Sequence, residues 1–315
     1  MPILGIDVGK KRFHAALKVG DKFKNKTFDN SPGGFALLNQ WLSHWAEEPV
    51  HACLEATGSY GEALSHYLHD QGHCVSVINP MRIKSFGKSL GLRSKTDRVD
   101  AKLIALFCEA MQPPRWQPLP VEQRQLKALV RRLEALLNMR TQELNRLEDV
   151  QDSVVQQDLQ AHIQYLDKTI AELRQRIQDH IDQHPGLKQQ QDLLNSIPGI
   201  GDTTSAWLLA EVNVNQYPHA RQLAAHAGLV PRHWQSGLLR GQSTLSKVGN
   251  PYLRKALYLP ALTAIRHNTI IQQFAQRLAD NGKAKMTIIA AVMRKLLHIA
   301  FGVLKSGNPF NPDFA

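Results

Sequence analysis

The hydrophobic positions change their period along the chain, and each change marks a boundary. Near the start, Ile3-Leu4-Gly5-Ile6 runs apolar into Asp7, Val8 and Gly9. A short apolar run closed by glycine predicts a buried central strand. Arg12–Val19 and Lys22–Phe28 alternate as half-buried strands do, with a Gly20-Asp21 hairpin turn between them. Ser31-Pro32 opens a helix to about Trp45, with Ser31 as N-cap and Pro32 at the first position. Val50–Ala56 predicts a fourth strand. Gly61–Gln71 predicts a helix with Ala63, Leu64, Tyr67 and Leu68 on one face, and Cys74–Ile78 a fifth strand stopped by Asn79-Pro80. Lys84–Lys95 is basic, contains Gly87 and Gly91, and predicts a flexible loop. Thr96 then caps a helix that runs to about Ala110.

Met111–Pro120 is rich in proline and predicts a domain boundary. Beyond it the period is helical. Leu126, Leu129, Leu133, Leu136, Arg140, Leu144 and Leu147 recur at three- and four-residue steps, and Leu159, Ile163, Leu166, Ile170, Leu173, Ile177 and Ile181 form a cleaner seam. The break near Gln151–Asp158 predicts two antiparallel helices. The narrow stripe and its polar flanks predict a protruding coiled coil that joins subunits into a dimer or tetramer, ended by His184-Pro185-Gly186. Leu193–Ala206 then reads as helix, Pro198-Gly199-Ile200-Gly201 turn, helix. In such a helix-hairpin-helix, Gly199 and Gly201 expose amides beside a helix N-terminus, where a backbone phosphate docks. Ala220–Ala227, Pro251–His267 and Met286–Leu304 predict further helices. Three regions follow: a sheet domain over 1–118, a coiled coil over 119–186 and a mainly helical domain over 187–315. The order in the first, three strands and then alternating helix and strand, resembles the ribonuclease-H-like (RuvC-like) fold, a mixed sheet with helices on both faces.

Composition narrows the partners. The 315 residues are 43% hydrophobic, which suits a globular chain. The formal net charge of +11 points to a polyanion, above all nucleic acid. Cys53, Cys74 and Cys108 are widely spaced in apolar runs and predict buried thiols in a reducing compartment rather than disulfides or zinc ligands. No apolar run approaches membrane-spanning length, so the expected location is the cytoplasm, at the nucleoid.

The candidate chemistry starts from Asp7. A carboxylate closing a buried strand is costly unless a cation or donors compensate it. Glu55 ends the fourth strand, and Asp97 and Asp100 lie three residues apart at the positive end of a helix. Two carboxylates held that close repel unless a cation sits between them. Hard oxygen donors in an open cluster favour Mg²⁺, or Mn²⁺, over zinc. Lys84, Lys88, Arg93 and Lys95 lead directly into this cluster and suit a phosphate backbone. Sugar kinases and actin-like ATPases share the opening strand, but they need a second phosphate-binding hairpin and a glycine-rich adenosine site, and neither is legible here.

Further on, Gly237, Gly241 and Gly249 give backbone freedom and Arg232, Arg240, Lys247, Arg254 and Lys255 give positive charge. Ser236, Ser243 and Ser246 place hydroxyls among them. This is a phosphate-binding surface able to hold a nucleophile.

Gly5-Ile6-Asp7-Val8-Gly9-Lys10, Leu54-Glu55-Ala56-Thr57-Gly58, Val77-Ile78-Asn79-Pro80, Lys95-Thr96-Asp97-Arg98-Val99-Asp100-Ala101, Ser196-Ile197-Pro198-Gly199-Ile200-Gly201, and Ser236-Gly237 through Ser246-Lys247 to Leu253-Arg254 together resemble the DEDD transposases of insertion-sequence family one-ten, the bridge-RNA-guided recombinases. The resemblance spans nearly the whole chain. It implies a RuvC-like domain, a coiled coil and a transposase domain. It implies an acidic tetrad at Asp7, Glu55, Asp97 and Asp100, with Ser236 as catalytic serine. It also implies a noncoding guide RNA that pairs with target and donor DNA. Ser236 and the acids lie in different domains, so the implied site is composite. Two other readings fit the residues: a RuvC-like junction endonuclease in which metal-activated water attacks, and a non-catalytic nucleic-acid scaffold.

Overall fold

The computed structural model describes residues 1–56, 58–91, 97–232, 235–236, 239–240 and 244–312, with the backbone alone for Ser59, Asp97, Arg98, Gln235, Ser236, Leu239 and Arg240. The chain forms two compact units, Met1–Pro118 and Leu119–Ala315, which meet inside the proline-rich stretch.

The first unit contains β1 (Ile3–Val8), β2 (Arg12–Val19), β3 (Lys22–Asp29), α1 (Pro32–Trp45), β4 (His51–Glu55), α2 (Glu62–Asp70), β5 (Cys74–Ile78), α3 (Pro80–Ser89) and α4 (Asp97–Met111). The sheet order is β3-β2-β1-β4-β5. β1, β2 and β3 are antiparallel neighbours, while β4 runs parallel to β1 and β5 parallel to β4. This is the mixed, ribonuclease-H-like sheet expected from the element order. Because side chains alternate along a strand, its two faces have separate cores. Leu4, Ile6 and Val8 pack with Phe35, Leu38, Leu42, Leu64 and Leu68 of α1 and α2. On the other face Cys53 and Ile78 pack with Ile83, Leu103, Ile104, Phe107 and Cys108 of α3 and α4. Cys53 and Cys108 are buried and Cys74 is half-buried, and all three are free thiols. The edge of β5 is covered by the segment leaving α4: the Trp116 amide donates to Val75 O at 2.7 Å.

The first half of the expected basic loop is helix. Asn79 accepts from the Met81 amide at 2.9 Å and Pro80 takes the first helical position, so the pair that stops β5 also starts α3. Gly87 is a contact point: a Cβ there would meet Leu103 Cδ2 at 2.8 Å.

The second unit continues with α5 (Val121–Asp149), α6 (Ser153–Asp182), α7 (Pro185–Asn195), α8 (Asp202–Glu211), α9 (Ala220–His226), four short strands, α10 (Pro251–His267), α11 (Thr269–Asp280) and α12 (Lys285–Ser306). Asp152 caps α6 by accepting from the amides of Val154 and Val155. α5 and α6 form an antiparallel hairpin, with Arg140 paired to Asp167 and the His180 ring hydrogen-bonded to Glu122 O. The expected role of the seam is corrected here. Leu159, Ile163, Leu166, Ile170, Leu173, Ile177 and Ile181 are all buried within one chain. From Leu166 onward they join one continuous core with α5 and with the helices that follow. α5 covers this stripe within the chain, while Val154 and Tyr165 of α6 and Met139 of α5 stay exposed on the hairpin.

A second correction concerns apolar length. Lys285–Ser306 is long and apolar enough to cross a membrane by length and composition. In the fold it buries Ile289, Val292, Met293, Leu296, Leu297, Ile299, Ala300, Phe301 and Val303 in the second unit's core.

Candidate active site

Gly5 sets the geometry of the first unit's open face. Gly5 and Asp7 are two residues apart on β1 and therefore share a face. A Cβ on Gly5 would lie 2.1 Å from Ala101 O and 2.4 Å from the Ala105 amide nitrogen of α4. Only a glycine lets α4 lie with its backbone directly on the strand. Glu109, farther along α4, accepts from Lys18 Nζ at 2.6 Å, and Lys18 is the β2 partner of Ile3. α4 thus descends β1 in reverse, with Glu109 at the level of Ile3 and Ala101–Ala105 over Gly5. Two strand residues advance about 6.6 Å, the rise of about four helical residues. The level of Asp7 therefore corresponds to the first turn of α4, which begins Asp97-Arg98-Val99-Asp100.

Glu55 reaches the same face by register. β4 is parallel to β1 with Ile6 opposite Leu54, so Asp7 and Glu55 each follow the last paired residue of their strands. The side chains of Asp7, Glu55 and Asp100 are half-buried. The fold thus places Asp7, Glu55 and the first turn of α4, which carries Asp100 and the backbone of Asp97, at one end of one sheet face. Among the described residues no three His, Cys, Asp or Glu side chains are gathered tightly enough to hold a metal ion. The set is nonetheless all oxygen, from two strands and one helix turn, a donor chemistry that suits a hard divalent cation.

One positioning residue was not read from the sequence. Asn30 donates from Nδ2 to Gly9 O and to Tyr60 O, each at 3.0 Å. Both amide hydrogens tie the loop after Asp7 to the turn after Glu55. Only a contact between distant segments identifies it. Gly5 was also missed as a determinant, although it stands inside the motif. Gly5→Ala is expected to force α4 off β1 and destabilise the first unit by about 1–3 kcal/mol, measurable as a lower melting temperature.

Of the basic residues beside the acids, Lys84 and Lys88 are exposed on α3. Arg93, Lys95 and the proposed cap Thr96 lie outside the described residues, as does Thr57.

In the second unit the stretch read as a glycine-rich loop pairs into a ribbon. β6 (Pro231–Arg232) pairs with β9 (Thr244–Leu245), and β7 (Gln235–Ser236) with β8 (Leu239–Arg240), both antiparallel. Ser236 is opposite Leu239 and Gln235 opposite Arg240. Ser236 is therefore the last described paired residue of β7. His233, Trp234, Gly237, Gly241 and Ser243 lie outside the described residues. The base of the ribbon is anchored: the Ser246 amide donates to Val230 O at 2.9 Å and the Asn250 amide to His226 O at 2.7 Å. Arg232 and Lys247 are exposed there.

Two residues expected on nucleic acid also have structural partners. Arg254 Nη1 donates to Ala227 O at 3.0 Å and Gly249 O at 3.3 Å, clamping the two strands that enter the ribbon. Gly228, at φ +68°, leaves room for it: a Cβ there would meet Arg254 Nη1 at 2.6 Å. Lys255 pairs with Glu134 at 3.0 Å. Beneath them Glu211, with its side chain 2% exposed, takes Arg131 Nη2 at 2.6 Å and Asn250 Nδ2 at 2.7 Å. Burial, and then the Glu211 charge, push the Tyr217 hydroxyl up to about 12.

The helix-hairpin-helix turn also has a packing role. Gly199, at φ +105°, faces α10, and a Cβ there would meet Ala264 Cβ at 2.8 Å. Gly201 is exposed with open space around it at the N-cap of α8. Close helix packing therefore requires Gly199, while Gly201 alone presents an open backbone.

Comparison with known proteins finds relatives along nearly the whole chain. Residues 4–156 match the family model of the IS110 DEDD transposases, described as "Transposase", and residues 191–276 match "Transposase IS116/IS110/IS902 family". A "Pilin gene-inverting protein" of Moraxella bovis is 36% identical over 313 residues, 98% of this chain and 97% of that one. The "Transposase for insertion sequence element IS1328" of Yersinia enterocolitica is 26% identical and covers 98% of both chains. Among solved structures, "T. thermophilus RuvC in complex with Holliday junction substrate" aligns with 37% of this chain and 99% of its own, at 16% identity and a TM-score of 0.26. With two matched segments and a relative 36% identical almost end to end, this chain belongs to the IS110 family of transposases, enzymes that recombine DNA.

Proposed function

We propose that this transposase cuts and rejoins DNA strands through Ser236, with Mg²⁺ held by Asp7, Glu55, Asp97 and Asp100, and that a guide RNA selects its sites. The observation that carries the reading is the placement of the acids. Gly5 seats α4 on β1 so that its first turn lies level with Asp7, and Glu55 joins by register. Mg²⁺ bound there would neutralise and orient a scissile phosphate. The acids' own part is to hold it in a fixed frame, which Asn30 braces from behind.

On this reading the Ser236 hydroxyl oxygen attacks phosphorus. A serine O–P bond forms, one phosphodiester P–O bond breaks, the serine proton is lost and the departing deoxyribose oxygen gains one. The phosphoserine ester keeps the bond energy, so the reverse attack by a DNA hydroxyl reseals the strand without ATP. Serine needs activation. Cations near the reacting phosphate stabilise the extra negative charge of the transition state, and Arg240 lies across the ribbon from Gln235. The acids belong to the first unit and Ser236 to the second, so the reaction needs both. A homo-oligomer that assembles the two sets is part of the proposal, without the hairpin seam as its joint. A DNA-acting enzyme of this family is expected in the cytoplasm, and we place it at the nucleoid.

The guide RNA rests on the family and on the net charge of +11. Charge alone gives loose, salt-sensitive binding to any nucleic acid. A guide gives more. Changing the pairing loops of the RNA that co-purifies with the protein is expected to move the DNA target to the matching new sequence, read by sequencing recombination junctions. Targets that stay in place after the change would put sequence choice in the protein.

A further inference from the structure

We infer that Arg221 of α9 and Arg294 and Lys295 of α12, grouped around His298, form a docking site for the phosphate backbone of duplex DNA. The charge distribution points to this region first. Residues 212–315 contain 13 of the 38 Lys and Arg but only two of the 27 Asp and Glu, Asp280 and Asp313. The remaining 25 basic and 25 acidic residues balance, so the whole net charge of +11 falls in the last 104 residues. Over the rest of the chain basic residues have acids to pair with. Here α9, α10 and α12 contain no carboxylate at all.

Within that region the cluster gathers like charges with no counter-charge among the described residues around it. Arg294 and His298 stand one turn apart on α12, Lys295 is beside them, and α9 packs against α12 and brings Arg221. Arg294, Lys295 and His298 are half-buried and Arg221 is exposed. None of the three cations has an ion-pair or hydrogen-bond partner among the described residues. Lys255 and Arg254 differ in this respect, since Lys255 has Glu134 and Arg254 three backbone carbonyls. His298 Nε2 is buried with no hydrogen-bond partner. Burial, and then the charges of Arg294, Lys295 and Arg221, hold its pKa below the usual imidazole value. Three cations around a neutral imidazole repel one another, so the arrangement costs stability in the free protein. An anion relieves that repulsion, and a chain of phosphates relieves it at every cation together.

The face continues in a form that suits a backbone. Gly302, one turn beyond His298, is exposed with open space where a side chain would stand. Lys305 follows and donates to Asn215 at 3.3 Å, keeping its charge. The stripe is therefore cationic, shallow and free of side-chain bulk at its centre. Its charged side chains are Arg and Lys, the residues that most often contact backbone phosphates. Phosphate contact without sequence reading is the chemistry it fits, and the family's substrate, DNA, supplies the phosphates. The inference does not depend on Ser236 or on the acids.

The experiment measures binding of the full-length protein to fluorescent duplexes in EDTA, where no cutting takes place, across a range of salt concentrations. Each phosphate neutralised contributes about 0.9 to the slope of log affinity against log salt. The double variant Arg294→Gln, Lys295→Gln is expected to lower the slope by about 1.8, and Arg221→Gln by about 0.9, with affinity falling by the same factor on unrelated duplexes. Because like-charge repulsion is removed, the double variant is also expected to melt at the wild-type temperature or above. Lys188→Gln is the comparison, because Lys188 is already paired with Asp182 and Asp192. Its slope should match wild type. An unchanged slope in both Arg221→Gln and the double variant overturns the site. So does an equal fall in Lys188→Gln, since the slope would then report total charge. A fall seen with single-stranded RNA and absent with duplex DNA overturns the DNA assignment. Should the double variant fail to fold, Arg221→Gln on the exposed surface decides alone.

Discussion

Ser236→Ala is expected to lose DNA cleavage by roughly 10⁴-fold or more, as removal of an attacking nucleophile does elsewhere. Binding to duplex DNA and to RNA should stay at the wild-type level. The substitution removes one oxygen at the end of a two-stranded ribbon whose base is held by other residues: the Arg254 clamp, the Asn250 hydrogen bonds and the Glu211–Arg131 pair. The fold therefore has no reason to respond, and far-ultraviolet circular dichroism should be unchanged. The diagnostic is covalent. A denaturing gel of wild type with labelled DNA should show a protein–DNA adduct that Ser236→Ala lacks, while Ser243→Ala should keep both adduct and activity. Robust cleavage by Ser236→Ala, with no adduct in either protein, would give the chemistry to activated water and the nuclease reading.

Asp100→Asn and Asp7→Asn are expected to lower cleavage on the order of 10³-fold each, the loss of several kcal/mol of metal-derived stabilisation. The amide keeps the shape and removes the charge. Activity alone would not separate metal loss from misfolding, so the second measurement is thermal. Wild type should melt at a higher temperature with added Mg²⁺ or Mn²⁺, because a ligand of the native state stabilises by mass action. In the amide variants this rise should vanish. Without added metal they should melt at or slightly above wild type, since one of several like charges on a shared face is gone. Full activity of the Asp97→Asn, Asp100→Asn double variant in Mg²⁺ would remove the acids from the mechanism.

The first unit was readable residue by residue because its signals are local. Alternation in Arg12–Val19, the Gly20-Asp21 turn and the Ser31-Pro32 start each act over a few residues, and β2, β3 and α1 form where these features stand. α3 was missed for a local reason as well. Asn79-Pro80 was read as the end of a strand, yet the same two residues satisfy the first turn of a helix. The ribbon that carries Ser236 was less legible. Strands of two residues leave no period to detect, and their pairing joins Pro231 to Leu245 across a glycine-rich stretch.

Sequence by itself determined the mixed sheet, the four acids and the serine as candidates, and the helical hairpin with its seam. Each depends on residue type and spacing. Tertiary structure alone decided what those features face. The seam could cover a second subunit or its own neighbour, and burial against α5 within one chain chose the latter. Gly199 could have been spared a side chain for a phosphate, and the approach of Ala264 shows that a helix took the space. Arg254 and Lys255 looked like Arg221 and Arg294 in sequence, each a cation in an acid-poor region. Backbone carbonyls and Glu134 occupy the first two, and the other two have no partner among the described residues. The physical reason is common to all four cases. Residue type states which interaction a side chain can make, but the partner lies far away in the chain and is known only once the chain has folded.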